Sequence, residues 1–463
     1  MTWKIKDGYA MLIDDGRNKS SVYLSLTIVD TFNQRKETFE ASVPAGASTG
    51  EKEKRLIDSR QAVEYLNTII IPYLKNSGTL SSGLTEADFD RHLNGLEAQE
   101  STRMPEGTFG ANAILPASMV LAQVSAFLKG YARDEFFMYF IEDGNEKMPV
   151  PMLNLLNGGK HAEAGEGAVP IQEIMIVPVG AKSFAEAMDM RNRVWFSLRK
   201  VMKERGMHTG RFDEGGFANS FRSVEKALDC LSLAIEKAGL KVGTDIALAF
   251  DGAFSEIHGK GLHDEKADAA DKTYHLGKQR LTSDQMVKYW ENVVRQYPSV
   301  LSIEDGMGER DTEGWKSLTQ ALGSKVLLVL DDFTCTNPTI LKIAIENGLG
   351  NSLLAKTTQI GTVSGNMEAT SMAKKNGYCV VQSHRSGEVP ENQKFLAAIS
   401  MHTNVDFIKN GSSGDRNIAY NELRKIEMAL ERMGRKPAYL GLDAAGEGIG
   451  NNYRMRNSLL TRR

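Results

Sequence analysis

Ile246-Ala-Leu-Ala-Phe-Asp251 is a short apolar run that ends in a charged residue, and the same pattern returns five times before residue 410. The later runs are Val300-Leu-Ser-Ile-Glu304, Val326-Leu-Leu-Val-Leu-Asp331, Ser352-Leu-Leu-Ala-Lys356, Tyr378-Cys-Val-Val-Gln-Ser-His384 and Val405-Asp-Phe-Ile-Lys409. From Glu304 the polar ends follow at steps of 27, 25, 28 and 25 residues, to positions 331, 356, 384 and 409. Each step is the length of one strand, one helix and two short loops.

Continuous apolar strands that alternate with helices are typical of a parallel sheet buried on both faces. In a barrel of such units, reactive side chains lie at the carboxyl ends of successive strands, where the active site is built. The pattern therefore predicts an α/β barrel, and it predicts an enzyme.

Composition limits the remaining possibilities. The chain has 463 residues, of which 41% are hydrophobic and 25% charged, as is usual for a soluble globular protein. A barrel takes roughly 250 residues as one domain, so we expect two domains, an α+β cap over residues 1–140 and the barrel over 141–463. The net charge of -3 gives no reason to expect nucleic acid or an acidic membrane as partner.

The sequence features considered next, a signal peptide, cysteine spacing and a membrane span, favour a cytoplasmic protein. The N-terminus lacks the apolar core of a signal peptide. The three cysteines have neither disulfide-framework nor metal-site spacing, which favours buried thiols in a reducing cytoplasm. The apolar window 111–128 carries several polar residues, so we expect a buried helix and no membrane span.

The first third of the chain has a different pattern from the barrel. Alternating apolar and polar residues over 19–44 predict antiparallel strands with one wet face. Helical periodicity follows over 55–75, 86–97 and 110–130, so strands come before helices, as in an α+β cap. Further helices are predicted at 183–205, 223–238 and 283–296.

Asp251, Glu304 and Asp331 end three neighbouring predicted strands and should converge. Three carboxylates in one pocket repel each other and need protons or a cation at neutral pH. Their hard oxygen atoms suit Mg²⁺ or Mn²⁺ and do not suit zinc. A single acid at a strand end is more often a helix N-cap or part of a surface ion pair, but three in register favour a metal site.

Lys356 and Lys409 end two later strands. A lysine near a metal and a second cation has its pKa pushed down and can act as a base; the alternative is a lysine that only pairs with the acids. Arg385 and Ser386 offer a guanidinium fork and a hydroxyl, which suit phosphate. Metal, base and anion site together indicate removal of a proton next to a carboxylate, with Glu214 as an acid on the other side.

Motifs along nearly the whole chain resemble those of the enolase family, the phosphopyruvate hydratases of glycolysis. The matching segments are Val43-Pro-Ala-Gly-Ala-Ser-Thr-Gly50, Gly110-Ala-Asn-Ala-Ile-Leu115, Leu156-Asn-Gly-Gly-Lys-His-Ala162, Gln172-Glu173, Asp213-Glu-Gly-Gly-Phe217, Ser302-Ile-Glu-Asp305, Asp331-Asp332, Gln359-Ile-Gly-Thr362, Ser383-His-Arg-Ser-Gly-Glu388 and Ile408-Lys409. The resemblance implies an N-terminal cap on a variant barrel that begins with two strands and two helices.

The resemblance also implies roles for individual residues. Asp251, Glu304 and Asp331 would hold one Mg²⁺, and Ser48 would help hold a second that arrives with substrate. Lys356 would take the C2 proton of 2-phosphoglycerate. Glu214, with Glu173 beside it, would protonate the departing hydroxyl. The remaining implied site residues are Lys409 at the substrate carboxylate, Arg385 and Ser386 at its phosphate, and His161, Gln172 and His384 lining the pocket.

The sequence departs from the family in the surroundings of these groups. Gly16 replaces an arginine at the usual dimer contact, and Arg17 lies one residue away; in an extended segment that shift would turn its side chain to the opposite face. We therefore expect a homodimer of weakened affinity. From His161 to Gln172 there are eleven steps where the family has eight, so the lid loop over 162–171 is longer.

Other departures lie beside the proposed metal and acid groups. Phe254 and Gly306 replace a small residue and a proline, and Phe212 replaces a glycine. These changes fit a divergent enolase in glycolysis or gluconeogenesis. They also fit an enolase-like paralogue acting on a related phosphorylated or phosphonylated hydroxy acid, as carboxyphosphonoenolpyruvate synthases do. A non-catalytic binding or structural role is the third alternative.

Overall fold

A computed structural model defines the fold and describes most of the chain. The described residues are 2–44, 46, 50–78, 80–81, 83–104, 107–141, 146–159, 171–212, 214–218, 221, 223–261, 268, 270–402 and 405–458. The predictions for Ser48 and His161, and those for the lid loop before residue 171, lie outside these residues.

Three antiparallel strands begin the chain. They are β1 (Trp3–Asp14), β2 (Ser20–Asp30) and β3 (Lys36–Val43), paired in the order β1-β2-β3. The strands expected over 19–44 are β2 and β3, and the apolar side chains of β2 are buried in the cap. β1 was not predicted, because polar residues interrupt its alternation and only three of its twelve residues, Trp3, Ile5 and Ala10, are buried.

Helices then cover this sheet. They are α1 (Ser59–Tyr65), a π-helical turn (Leu66–Ile70), α2 (Ile71–Asn76), α3 (Glu86–Glu100), α4 (Ala111–Leu128) and the 3-10 segments Ser101–Arg103 and Arg133–Phe140. α4 is long and apolar enough to cross a membrane by composition, but 83% of it is buried inside the protein. It is the core helix of the cap, as expected for this window. The domain boundary at residue 140 stays a prediction.

The rest of the chain alternates strands and helices. The strands are β4 (Lys147–Met148), β5 (Val150–Asn157), β6 (Glu173–Val177), β7 (Phe217–Ala218), β8 (Ala247–Asp251), β9 (Tyr274–Leu276), β10 (Gln279–Leu281), β11 (Val300–Glu304), β12 (Leu327–Leu330), β13 (Ser352–Ala355), β14 (Cys379–Ser383), β15 (Phe407–Lys409) and β16 (Ala438–Tyr439). The helices are α5 (Phe184–Glu204), α6 (Val224–Lys237), α7 (Ser283–Gln296), α8 (Thr312–Leu322), α9 (Pro338–Glu346), α10 (Thr357–Ile360), α11 (Val363–Lys375), α12 (Pro390–Ile399), α13 (Asn417–Arg432) and α14 (Glu447–Ser458).

Eight of these strands close into a barrel. Their order is β5-β6-β8-β11-β12-β13-β14-β15, and β15 pairs back to β5. β6 runs antiparallel to both neighbours, and the other pairs around the ring are parallel. The predicted fold, an enolase-type variant (β/α)8 barrel with an N-terminal cap, is confirmed. All six apolar runs that began at Ile246 are barrel strands.

The antiparallel strand β6 has a consequence for the site. Its first residue, Glu173, pairs with the last residue of β5, Asn157, and with the last residue of β8, Asp251. The start of β6 therefore lies at the same end of the barrel as the carboxyl ends of its neighbours. The opposite end is filled by apolar side chains and closed by Tyr453 of α14, so the barrel interior is a packed core and polar groups gather at one end.

The segment that joins β1 to β2 differs from its prediction. It is a turn, in which Asn18 has φ 58° and Asp15 Oδ1 accepts hydrogen bonds from the N–H groups of Arg17 (2.8 Å) and Lys19 (2.9 Å). Arg17 lies in this turn, so the prediction that an extended segment turns its side chain to the opposite face is wrong about the extended backbone. Arg17 lies within 3.6 Å of Asp15 in the same chain. The weakened dimer stays a prediction.

Candidate active site

The three predicted metal ligands lie together at the polar end of the barrel. Glu304 of β11 is in register with Asp251 of β8, and Asp331 directly follows β12. All three are buried. Lys409 Nζ bridges the first two, at 2.7 Å from Asp251 Oδ2 and 2.8 Å from Glu304 Oε2. Lys356 Nζ lies 2.6 Å from Asp331 Oδ2.

Burial and crowding perturb the pKa values of these groups. Burial, together with the charge of Asp251, raises the pKa of Glu304 well above its ordinary value. Burial pulls the pKa of Lys356 down, but the charges of Asp331 and Glu304 outweigh that effect, so its pKa is raised. The lowered pKa predicted for Lys356 from the sequence is wrong for the protein alone, because that prediction places a metal and a second cation beside the lysine. In the protein alone the carboxylates dominate.

This donor set fits a divalent cation. Three buried carboxylates with hard oxygen atoms lie at the same end of the barrel, where Lys409 and Lys356 pair with them. Burying like charges together is costly unless cations compensate them. Asp305 and Asp332, which were not predicted as ligands, also each place an oxygen within 4.8 Å of an oxygen of Asp331. Asp305 already accepts the backbone N–H groups of Asp331 and Asp332, both at 3.0 Å, so it holds the end of β12 in place.

Across the barrel, Glu214 forms the other side of the site. It is buried, and its carboxylate accepts a hydrogen bond from Asn154 Nδ2 at 3.2 Å and lies 3.5 Å from His384 Nε2. Burial, then the neighbouring Glu214, raises the pKa of Glu173 well above its ordinary value. Burial also holds the pKa of His384 well below its ordinary value, so this histidine is neutral at pH 7.

The predicted phosphate-binding pair follows β14. The Arg385 guanidinium is buried and lies 2.7 Å from Glu53 Oε2, a carboxylate from the cap. Gly46, at φ +74°, passes so close that a side chain there would collide with Arg385. Sequence reasoning missed Glu53, because nothing in its local pattern separates it from other charged residues of the loop.

One open pocket of about 640 Å³, including solvent at its mouth, joins most of these groups. The predicted site residues that line it are Gln172, Glu173, Glu214, Asp251, Asp331, Lys356, His384, Arg385, Ser386 and Lys409. Glu304 lies beside them, held by Lys409. Lys356 follows β13, which is four places around the ring from β6, so it lies opposite Glu173.

The comparison with known families agrees with this geometry. Residues 145–447, or 303 of the 463 residues, match the family described as enolase, C-terminal TIM barrel domain. The chain belongs to the enolase family. Enolase-family membership implies an enzyme of lyase type, and members of the wider superfamily typically use Mg²⁺.

Two departures from the enolase pattern form one packing unit beside the carboxylates. The Trp290 ring stacks on Phe254 with 5.4 Å between centroids, and Trp290 Nε1 donates a 2.8 Å hydrogen bond to the Gly306 carbonyl. A Cβ on Gly306 would lie 3.1 Å from Trp290 Nε1 and 2.8 Å from a methyl group of Ile303. The packing of Trp290 and Ile303 therefore leaves no room for a side chain at position 306.

Glu388 holds the backbone of the predicted phosphate-binding pair. Its carboxyl group accepts the Arg385 backbone N–H at 2.9 Å and Asn392 Nδ2 at 2.6 Å. Burial raises the pKa of Glu388 from 4.5 to about 7. Because the folded state binds this proton more tightly than the unfolded state, the associated stability is present below about pH 4.5 and is lost as pH rises through about 7.

We expect Glu388→Gln to flatten this pH dependence, since glutamine stays neutral throughout. Between pH 4.5 and pH 7 the wild-type free energy of unfolding should fall by about 3 kcal/mol more than that of the variant, from the raised pKa. Urea denaturation at several pH values measures the difference. Parallel pH profiles for the two proteins would show that Glu388 is ionised across this range.

Proposed function

We propose that the protein is a Mg²⁺-dependent hydro-lyase that interconverts 2-phosphoglycerate and phosphoenolpyruvate. The observation that carries the proposal is one pocket with Lys356 on one side, Glu214 on the other and buried carboxylates between them. Elimination of water across two neighbouring carbons needs a base and an acid on opposite sides of the substrate. It also needs positive charge at the carboxylate next to the departing proton.

Asp251, Glu304 and Asp331 are the residues that would hold the magnesium ion. When bound, the metal supplies positive charge next to the substrate carboxylate, which makes the C2 proton more acidic. Lys409 adds a fixed positive charge at the same place. Burial lowers its pKa, but the charges of Asp251, Glu173 and Glu304 outweigh that effect and keep it protonated.

Lys356 is the proposed base. In the protein alone it is protonated and paired with Asp331 at 2.6 Å. It can accept the C2 proton once Asp331 is engaged elsewhere and the lysine is neutral. The electron pair of the broken C–H bond then stays on C2, next to the carboxylate.

Glu214 is the proposed acid. That electron pair forms the C2–C3 double bond as the C3–O bond breaks, and the leaving hydroxyl takes a proton from Glu214 and departs as water. Glu173 is hydrogen-bonded to Glu214 and has a raised pKa, caused first by burial and then by the charge of Glu214. The raised pKa favours the protonated form of Glu173, which places a proton next to Glu214 and supports the acid role.

Arg385 and Ser386 are the proposed phosphate ligands. A guanidinium can make two parallel hydrogen bonds to a phosphate, and the hydroxyl adds a third. The buried ion pair with Glu53 holds the guanidinium at the pocket wall before substrate arrives.

The test is conversion of 2-phosphoglycerate to phosphoenolpyruvate, followed by ultraviolet absorbance with Mg²⁺ and after chelation. We expect formation of phosphoenolpyruvate that stops on chelation and returns with added Mg²⁺. Conversion of a phosphonylated hydroxy acid with none of 2-phosphoglycerate would instead identify an enolase-like paralogue. No conversion of either would contradict the proposed activity.

Asp331→Asn tests the metal site. The change removes one of three charges that offset a divalent ion, so the Mg²⁺ concentration for half-maximal activity should rise at least about tenfold, or about 1.4 kcal/mol of binding. Excess Mg²⁺ should restore part of the activity. The exposed Asp284 on α7 supplies a matched control, Asp284→Asn. An unchanged Mg²⁺ requirement would remove Asp331 from the metal site.

A further inference from the structure

The loop that follows Lys409 is docked on the backbone of Glu214. Ser412 N–H donates to the Glu214 carbonyl at 2.9 Å, and Ser413 Oγ donates to the Gly215 carbonyl at 2.8 Å. A side chain at Gly411 would collide with the Glu214 carbonyl oxygen. The main chain of residues 410–413 therefore fixes the spacing between the lysine on one strand and the acid on a separate turn.

This loop is in turn held from outside the pocket. Arg191 of α5 donates from Nη1 to the Ser412 carbonyl and, at 2.8 Å, to Asn417 Oδ1. Tyr420 of α13 donates from its hydroxyl to the Gly411 carbonyl at 2.9 Å. The Ser412 carbonyl thus accepts a hydrogen bond from Arg191, and the Ser412 N–H donates one to the Glu214 carbonyl. These two bonds connect α5 to the backbone of the proposed acid.

Burying the charged Arg191 side chain at this position costs free energy. Its side chain is 8% exposed, and burial lowers its pKa. Within the described part of the chain no carboxylate lies at ion-pair distance from it, so hydrogen bonds and the Tyr420 ring, 5.9 Å away, offset the cost of burying its charge. Its neighbours Asn192 and Arg193 are exposed. A buried cation without an acidic partner costs stability, which points to a role beyond packing.

We infer that Arg191 is a positioning residue for Glu214, acting through the Ser412 peptide to keep the acid at a fixed distance from Lys409. The inference rests on the proposed acid role of Glu214. Arg191 does not line the pocket and would not touch the substrate. Losing it should let the 410–413 loop and the Glu214 turn shift together, while Lys356 on the far side of the barrel keeps its place.

The kinetic test compares Arg191→Met with Arg193→Met, a matched change at an exposed arginine two residues away on the same helix. A shift of about 1 Å at a catalytic group can cost about 100-fold in rate. We expect kcat for dehydration to fall roughly 10- to 100-fold in Arg191→Met with KM unchanged. Exchange of the substrate C2 proton with solvent should continue at the wild-type rate. Arg191→Lys, which keeps a donor for Ser412, should recover part of kcat.

A second measurement does not depend on the substrate. Amide hydrogen exchange should speed up in peptides covering 214–218 and 410–415 in Arg191→Met, and stay unchanged in a peptide covering 352–362. A wild-type protein inactive on 2-phosphoglycerate would contradict the proposed function alone, since the amide exchange still decides the path through Ser412. Equal amide exchange in both variants, or equal loss of dehydration and C2 exchange, would overturn the inference.

Discussion

Lys356→Ala should abolish exchange of the C2 proton of 2-phosphoglycerate with solvent and reduce dehydration by about 10⁴-fold, the upper end of the range for loss of a positioned acid–base group. Lys356 lies at the end of β13 on the pocket wall. Among the described lining residues Lys409 is the other lysine, and three carboxylates hold it protonated. No second neutral amine is therefore at hand to take over. Proton NMR of the substrate in D₂O measures the exchange.

The matched control is Lys342→Ala, on the exposed face of α9. It should leave exchange and dehydration unchanged. Substrate binding by Lys356→Ala should persist, because Arg385 and Ser386 lie on the neighbouring strand end and do not depend on the lysine. Exchange at the wild-type rate in Lys356→Ala would assign the base to another residue.

Glu214→Gln should separate the two halves of the reaction. Glutamine keeps the size of the side chain but cannot give a proton to the leaving hydroxyl, so we expect dehydration to fall by about 10²- to 10⁴-fold. C2 exchange should persist, because the base lies on the opposite side of the pocket. Absorbance of phosphoenolpyruvate measures the first quantity, and NMR in D₂O the second.

Two outcomes would contradict this assignment of the acid. Loss of exchange together with dehydration would place Glu214 in proton removal or in binding. Full dehydration activity in Glu214→Gln would transfer the acid role, with Glu173 as the nearest candidate. The exposed Glu346 provides the matched control, Glu346→Gln, which should match the wild type in both assays.

The barrel was predictable because its strands are buried on both faces. β8 and the five later barrel strands are mostly apolar runs with a polar residue at the carboxyl end, and the pairing of β8 with β11 places Asp251 beside Glu304. The same rule could not find Glu173, which begins an antiparallel strand instead of ending a parallel one. It entered the predicted site only through the resemblance to enolases.

The supporting residues could not be predicted, because each meets its partner across a long sequence separation. Glu53 contacts Arg385 from the cap, and Arg191 contacts Ser412 from α5. Neither shows a local pattern that marks it as part of a site. The raised pKa of Lys356 could not be predicted from the sequence either, since it depends on how many carboxylates lie near the ammonium group.

One time course tests the central claim, a base and an acid on opposite sides of one pocket. Wild type, Lys356→Ala and Glu214→Gln are each given 2-phosphoglycerate and Mg²⁺ in D₂O, and proton NMR follows the C2 signal and the vinyl signals of phosphoenolpyruvate together. The account predicts both signals to change in wild type, only C2 exchange in Glu214→Gln, and neither in Lys356→Ala. If both variants lost C2 exchange and dehydration equally, or if C2 exchange survived in Lys356→Ala, the result would contradict it.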